Sequence, residues 1–195
     1  KGFEVSDDVS DCDVLIGVKE VPIDALIPNK KYFFFSHTIK KQTYNRKLLK
    51  ACIDKNIELY DHETIVNGNN TRLIGFGRYA GIVGAYNGFR AFGLKYEIFN
   101  LPKAEKLPNQ EALIAQLKKP FLPPIKIVLS GKGKVAMGAK EMLDGMKIKE
   151  VSVEDYLSTT YTYPVYTMID VKDYNIHKDG SAFDKKDFYT NPQNY

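Results

Sequence analysis

Short apolar runs alternate along this chain with stretches whose apolar positions recur every three or four residues. Asp13-Val14-Leu15-Ile16-Gly17-Val18 and Lys31-Tyr32-Phe33-Phe34-Phe35-Ser36 are runs of the first kind, as expected for strands buried on both faces. Pro22 and Pro28 punctuate a loop or short helix between them. From Gln42 to Lys55, Leu48, Leu49, Cys52 and Ile53 recur at helical spacing, with basic residues on the other side. Ile57-Glu58-Leu59-Tyr60 reads as the next strand. Asn67-Gly68-Asn69-Asn70 is a strong turn signal, and Arg72-Leu73-Ile74-Gly75-Phe76 a further strand. Strand, helix, strand in alternation implies a parallel α/β sheet.

Beyond residue 76 the pattern changes. Gly77, Gly81, Gly84 and Gly88 are spaced four, three and four apart, which puts them on one helical face. Glycine costs about 1 kcal/mol against alanine inside a helix, so the stripe predicts a helix or strand packed very close to it. A membrane dimer motif is the rival reading, but Arg78 and Arg90 interrupt it. Residues 101–124 begin and end near prolines and enclose an amphipathic segment, Glu111 to Leu117, expected to connect two lobes. The glycine helix and this segment together form the expected hinge.

The strongest local signal follows. Ile125-Lys126-Ile127-Val128-Leu129-Ser130 is an apolar strand that leads into Gly131-Lys132-Gly133-Lys134-Val135-Ala136 and a helix through Leu143, with another strand near Ile148–Val151. Strand, G-x-G-x-x-A and helix in this order are the context of a dinucleotide fingerprint. The first glycine permits a tight turn, the second lets backbone approach a pyrophosphate, and the helix N-terminus supplies N–H donors. Ala136 and Gly138 are small enough for the helix to lie close to the sheet. Against this stands a glycine-rich turn that holds no ligand.

The chemistry-bearing residues elsewhere sit at strand ends. Lys19 and Glu20 follow one strand and His37 follows the next. Groups just past the carboxyl ends of adjacent parallel strands converge on one crevice, and lysine and histidine both tune toward neutrality as proton-transfer groups. Two polar loop residues are the bland alternative.

Composition narrows the partners. The 195 residues carry 28 Lys+Arg and 24 Asp+Glu, for a net charge of +4 spread along the chain, which argues against nucleic acid. With 44% hydrophobic and 27% charged residues the chain can fold around a core. No run approaches 18 apolar residues and no signal peptide opens the chain, so membrane and secretion are disfavoured. Cys12 and Cys52 fit reduced thiols in a cytoplasmic protein. No metal-binding set stands out. The chain opens on Lys1-Gly2-Phe3-Glu4-Val5, as if already within a strand, and stops at a polar Asn191–Tyr195 stretch that closes nothing; both ends suggest a piece of a larger protein.

Gly17-Val18-Lys19-Glu20, Phe34-Phe35-Ser36-His37-Thr38-Ile39-Lys40, Leu59-Tyr60-Asp61-His62-Glu63 and Gly75-Phe76-Gly77-Arg78-Tyr79-Ala80-Gly81, in that order, resemble the saccharopine dehydrogenase and lysine-ketoglutarate reductase group of the alanine dehydrogenase and transhydrogenase family. The resemblance runs from about residue 9 to at least residue 145. It implies an α/β fold of two Rossmann-like parallel-sheet lobes, both incomplete here: a substrate lobe over 1–100 that includes the glycine-rich helix, a connection over 101–124, and a partial NAD(P)-binding lobe over 125–195. The implied activity is NAD(P)-dependent oxidoreduction of an amino acid through an imine, forming or cleaving saccharopine. Lys19 and His37 fall on the family's catalytic lysine and histidine, in a cleft facing the Gly131–Gly138 loop. Glu20, Lys40, Glu63 and Arg78 fall among its substrate-binding charged groups, and Gly131, Gly133, Lys134, Val135, Ala136 and Ser152 among its coenzyme contacts. The implied partners are a small amino acid and a 2-oxo acid, and a homo-oligomer is allowed. An alanine-dehydrogenase-like activity and a catalytically silent nucleotide-binding module are the alternatives, and the isolated chain is expected to be inactive.

Coenzyme choice leans toward NADP(H). Twenty residues past Gly131, where an NAD-preferring fold places its ribose acid, stands Val151. Ser152 and Asp155 have the spacing of a helix N-cap, which suits a 2′-phosphate, and Lys132 and Lys134 add charge. Glu150 or Glu154 turned inward as the ribose acid is the opposing reading.

Overall fold

The computed structural model describes residue 2 and residues 5–195. The strand expected over Lys1–Val5 therefore falls largely outside the described residues. The described chain divides into two compact units, residues up to Gly75 and residues from Phe76 onward. This division gives the glycine helix to the second unit, where the sequence kept residues up to 100 with the first. Each unit has its own three-stranded parallel sheet, so the α/β class with two small parallel sheets holds.

In the first unit β1 (Val14–Lys19), β2 (Lys31–Phe35) and β3 (Glu58–Asp61) lie side by side in chain order, all parallel. Helix α1 (Arg46–Asp54) crosses from β2 to β3 and buries Leu48 and Cys52 against Leu26, Tyr32 and Phe34. Leu49 and Ile53, expected on the same face, point away and are exposed. The expectation that the Val14–Val18 run is buried on both faces fails. Among the described residues β1 is an edge strand, and Ile16 is 78% exposed. Burial here depends on what covers each face, which an apolar run does not record. The strand expected at Arg72–Phe76 is also absent: after the Asn67–Asn70 turn, Arg72 makes only an isolated antiparallel bridge with Val66.

The second unit opens with α2 (Gly77–Lys95), then α3 (Gln110–Leu117), capped by the Asn109 side chain. β4 (Lys126–Ser130), α4 (Lys134–Gly145), β5 (Lys149–Glu150), α5 (Val153–Ser158), β6 (Val165–Ile169) and α6 (Lys185–Thr190) follow. Leu101, Leu113 and Leu117, from the proline-bracketed segment, join Ile82, Tyr86, Phe89, Met142, Leu143 and Tyr166 in the core. The sheet runs β4-β6-β5, with all pairs parallel. β6 therefore lies beside β4, although the strand that follows α4 in sequence is β5.

The glycine stripe works as half a stripe. A Cβ on Gly81 would stand 2.7 Å from the Ala139 nitrogen and closer still to the Val135 carbonyl oxygen, so the backbones of α2 and α4 touch there. Gly138 meets the same crossing from the other side, within 2.8 Å of the Arg78 carbonyl carbon. Its close neighbour is thus α2 rather than the sheet, contrary to the sequence reading. Gly84 and Gly88 face open space and line a groove of about 620 Å³ with Phe92, Ile127 and Val128. The C-terminal stretch is also not idle: the Tyr195 ring packs edge-on to His177, Phe183 and Phe188, and its hydroxyl donates to the Asp184 carbonyl at 3.1 Å.

Candidate functional site

In the first unit the polar groups gather at the carboxyl ends of the three strands. β1 slips register against β2 between Ile16 and Lys19, which brings Lys19 opposite Phe35. Such an irregularity re-aims a strand-end side chain. Lys19 and Glu20 are both exposed, and their side chains have no hydrogen bond or ion pair among the described residues. Past β2, His37 takes the left-handed conformation, with φ +57°. A non-glycine residue holds that conformation when its surroundings over-determine it, and they do. The buried Asp61 carboxylate, at the end of β3, accepts the Ser36 hydroxyl, the Ser36 N–H at 3.4 Å and the Glu63 N–H at 2.8 Å. The Asn45 amide donates to the His37 carbonyl at 3.1 Å. Asp61 thus ties together the turns after β2 and β3, and the two side chains that follow them meet.

Those side chains are His37 and Glu63. The Glu63 carboxylate is 2% exposed and takes His37 Nδ1 at 2.9 Å, Lys40 Nζ at 3.4 Å and Arg72 at 3.0 Å. Burial alone would raise its pKa, but the hydrogen bond from His37 and the Lys40 charge outweigh burial and hold it below the usual carboxylate value. In neutral His37, an ionised Glu63 favours the tautomer whose Nδ1–H donates to Oε2 and whose Nε2 accepts; Lys40 Nζ also stands 3.4 Å from Nδ1. Lys40 and Arg72 are each about half exposed, so both keep donors facing solvent. With one buried anion and two fixed cations, the cluster suits an incoming carboxylate.

His37, Lys40 and Glu63, which the family resemblance grouped, stand together here, and two further residues join them. Arg72 was hidden in an expected strand, and Asp61 was overlooked as the polar residue closing β3. Beside them His62, 8% exposed, leaves Nδ1 buried without a hydrogen-bond partner among the described residues, with its ring edge-on to Phe35.

In the second unit β4 ends in a tight turn. Gly131 has φ +87°, and its N–H donates to the Ile169 carbonyl at 2.8 Å. Gly133 caps α4 in an extended conformation with no side-chain cap, so the first N–H groups of a twelve-residue helix are open to a ligand. Ala136 is buried in the fold, whereas Lys134 and Val135 are exposed at the mouth of the turn. A positive-φ glycine and a bare helix start beside it fit a pyrophosphate.

The other expected positions are occupied by structural bonds. Ser152 does cap α5, its Oγ accepting the Asp155 N–H at 3.0 Å, and Glu154 and Asp155 make that helix start acidic. Glu150 receives Lys140 Nζ at 2.7 Å and the Tyr166 hydroxyl at 3.1 Å. The same lysine also bonds Asp144 and the Tyr166 hydroxyl. The hydrogen bonds that Lys140 donates to Glu150, to the Tyr166 hydroxyl and to Asp144 raise its pKa, and burial pushes the enclosed Tyr166 up to about 12. Arg78 spends its guanidinium on Glu141, with Nε at 2.7 Å, and on Gln110.

No family model matches the chain. An alpha-aminoadipic semialdehyde synthase of Arabidopsis thaliana is 32% identical over an alignment that takes in all of this chain and 21% of the plant protein. The mitochondrial alpha-aminoadipic semialdehyde synthase of Bos taurus is 26% identical, again across the whole chain and 23% of the relative. A saccharopine dehydrogenase (NAD(+), L-lysine-forming) of Candida glabrata is 28% identical across 72% of this chain and 41% of its own length. A solved L-alanine dehydrogenase overlays 84% of this chain and 45% of its own with a TM-score of 0.46 at 15% identity. The chain thus spans about a fifth of the length of the synthases and about two fifths of the dehydrogenase. The resemblance carried by the sequence motifs stands: the homologues of this chain are alpha-aminoadipic semialdehyde synthases and saccharopine dehydrogenases.

Proposed function

We propose that this chain belongs to an NAD(P)-dependent oxidoreductase that forms or cleaves saccharopine, joining the lysine side-chain amine to the keto carbon of 2-oxoglutarate. The observation that carries the reading is the buried Glu63 carboxylate gripping His37, Lys40 and Arg72 at the carboxyl end of a parallel sheet. Lys40 and Arg72 hold carboxylates of the substrates. His37, held as an acceptor at Nε2 by Glu63, takes the proton released when the amine adds to the keto carbon. Lys19, at the end of the neighbouring strand, returns a proton to the carbinolamine oxygen so that it leaves as water. The Gly131 turn and the start of α4 would hold a nicotinamide coenzyme, which when bound would supply hydride chemistry. Gly131, Gly133, Lys134 and Val135 approach its pyrophosphate. The compartment is the cytoplasm, in keeping with two free cysteines; among the described residues no helix is long and apolar enough to cross a membrane.

The test is a turnover screen of the full-length protein with reduced coenzyme. Oxidation of the coenzyme with lysine plus 2-oxoglutarate, and none with pyruvate plus ammonia, is the expected result. The reverse pattern replaces this reading with an alanine-dehydrogenase-like one, and silence with both substrate pairs leaves a nucleotide-binding module.

A further inference from the structure

The second unit carries a cavity of about 480 Å³ at the end of its sheet away from the Gly131 turn. Lys149 opens β5 and Pro164 precedes β6, so the cavity sits at the amino ends of these strands, whereas the Gly131 turn follows the carboxyl end of β4. Leu117 and Ile148, both buried, line it. So do two rings left in solvent: Phe121 is 86% exposed and Tyr163 is 45% exposed. Pro120, Pro123 and Pro124 bracket Phe121, and their fixed φ angles restrict its loop. Tyr163 packs edge-on to Tyr161, with ring centres 5.7 Å apart. The charged lining has one sign. Lys118, Lys147 and Lys149 line the cavity, and no aspartate or glutamate does. Their side chains have no hydrogen bond or ion pair among the described residues. The acids nearest in sequence are engaged elsewhere, since Asp144 and Glu150 both bind Lys140, at 3.1 and 2.7 Å. Helices α3 and α4 end beside Lys118 and Lys147. A helix end carries only about half a negative charge, so two ends leave about two of the three positive charges unbalanced.

We propose that this cavity binds a nucleoside polyphosphate as a second ligand, apart from the coenzyme turn. Phe121 and Tyr163 take the base, and Lys118, Lys147 and Lys149 take the phosphates. An aromatic face stacks any base. A lysine ammonium is a compact point charge that binds phosphate without a fixed fork geometry. The cavity has the volume of a small-molecule site, with an apolar lining and a few charged groups at it. An acidic peptide would answer the same charges, but the concave apolar lining and the two free rings favour a planar ring over an extended chain. Neither the Gly131 turn nor the Glu63 cluster takes part, so this site stands or falls independently of the reaction.

The experiment is calorimetric titration of ATP into the full-length protein, with and without saturating NADH or NADPH. ATP is expected to bind with a Kd below about 1 mM under each condition. Inorganic tripolyphosphate, which lacks the base, should bind at least about fivefold more weakly, the low end for a lost stacking contact. Phe121→Ala should weaken ATP by at least about fivefold and leave tripolyphosphate unchanged. The double variant Lys147→Gln, Lys149→Gln should weaken both ligands by about tenfold or more, with an unchanged melting curve, because both side chains are exposed. Absence of ATP binding, displacement of ATP by either coenzyme, tripolyphosphate as tight as ATP, or variants that bind ATP like wild type overturns the proposal. A glutamate-rich peptide that binds more tightly than ATP overturns it too, and makes the surface a protein-docking one.

Discussion

Replacing Gly81 by alanine tests the packing that sets the coenzyme loop. The added methyl would stand 2.7 Å from the Ala139 nitrogen, where ordinary contact begins at 3.4 Å, and the Val135 carbonyl lies nearer still. Both obstacles are backbone, so no side chain can swing aside, and α2 and α4 must separate by more than the roughly 0.7 Å that the Ala139 contact alone requires. Overpacking of this kind costs about 1–3 kcal/mol and sometimes more. Because it falls on two backbones here, the upper end applies. Alanine returns up to about 1 kcal/mol through helix propensity, which leaves a net loss of about 2–3 kcal/mol. At about 4 °C per kcal/mol for a unit of this size, the melting transition should fall by roughly 8–12 °C. Gly84→Ala is the control. It adds the same methyl to the same helix with nothing within 4 Å, and it should melt at or slightly above wild type. Thermal melts followed by far-UV circular dichroism decide the matter. Gly81→Ala within about 0.5 kcal/mol of wild type, or equal damage from Gly84→Ala, would refute the close crossing. Val135 lies in the first turn of α4, so Gly81→Ala should also weaken coenzyme binding in a titration.

Lys19→Met or His37→Gln in the full-length enzyme should reduce turnover by roughly 10²-fold or more, the scale of lost acid–base catalysis; near-normal rates in both would remove the assignment. Glu63, held below its ordinary value, lends stability that is present above the unfolded carboxylate value and is lost as pH falls through its own lower pKa. Urea midpoints between pH 6 and pH 3 should therefore drop less steeply in Glu63→Gln than in wild type, and parallel curves would count against the buried pairing. Tyr166, pushed up to about 12, keeps its proton in the fold after an unfolded tyrosine has lost it, so stability should decline from about pH 10 to pH 12. In Tyr166→Phe that decline should shrink, and an unchanged alkaline profile would mean the hydroxyl is not enclosed as described.

The sequence by itself determined what depends on neighbours along the chain. The β4 strand, the Gly131 turn and helix α4 were legible together because an apolar run, a positive-φ glycine and a helical period are local properties. So was the Ser152 cap, and so was the placement of Lys19 and His37 at strand ends, whereas Lys40 and Glu63 came from the family resemblance. Only the tertiary structure decided the pairings that join distant segments. Arg72 reaches Glu63 across a turn that reads as the lead-in to another strand. Arg78, expected beside substrate, finds Glu141 on α4 because Gly81 and Gly138 let α2 and α4 touch. Ile16 lies exposed in a run that looks buried, since one helix covers one face of the sheet and the run alone cannot say which faces are covered. Asp170 rather than Ser152 follows the strand paired with β4, because β6 took the place next to it. Which edge a strand joins is settled by packing over the whole unit, and no periodicity within the strand encodes it.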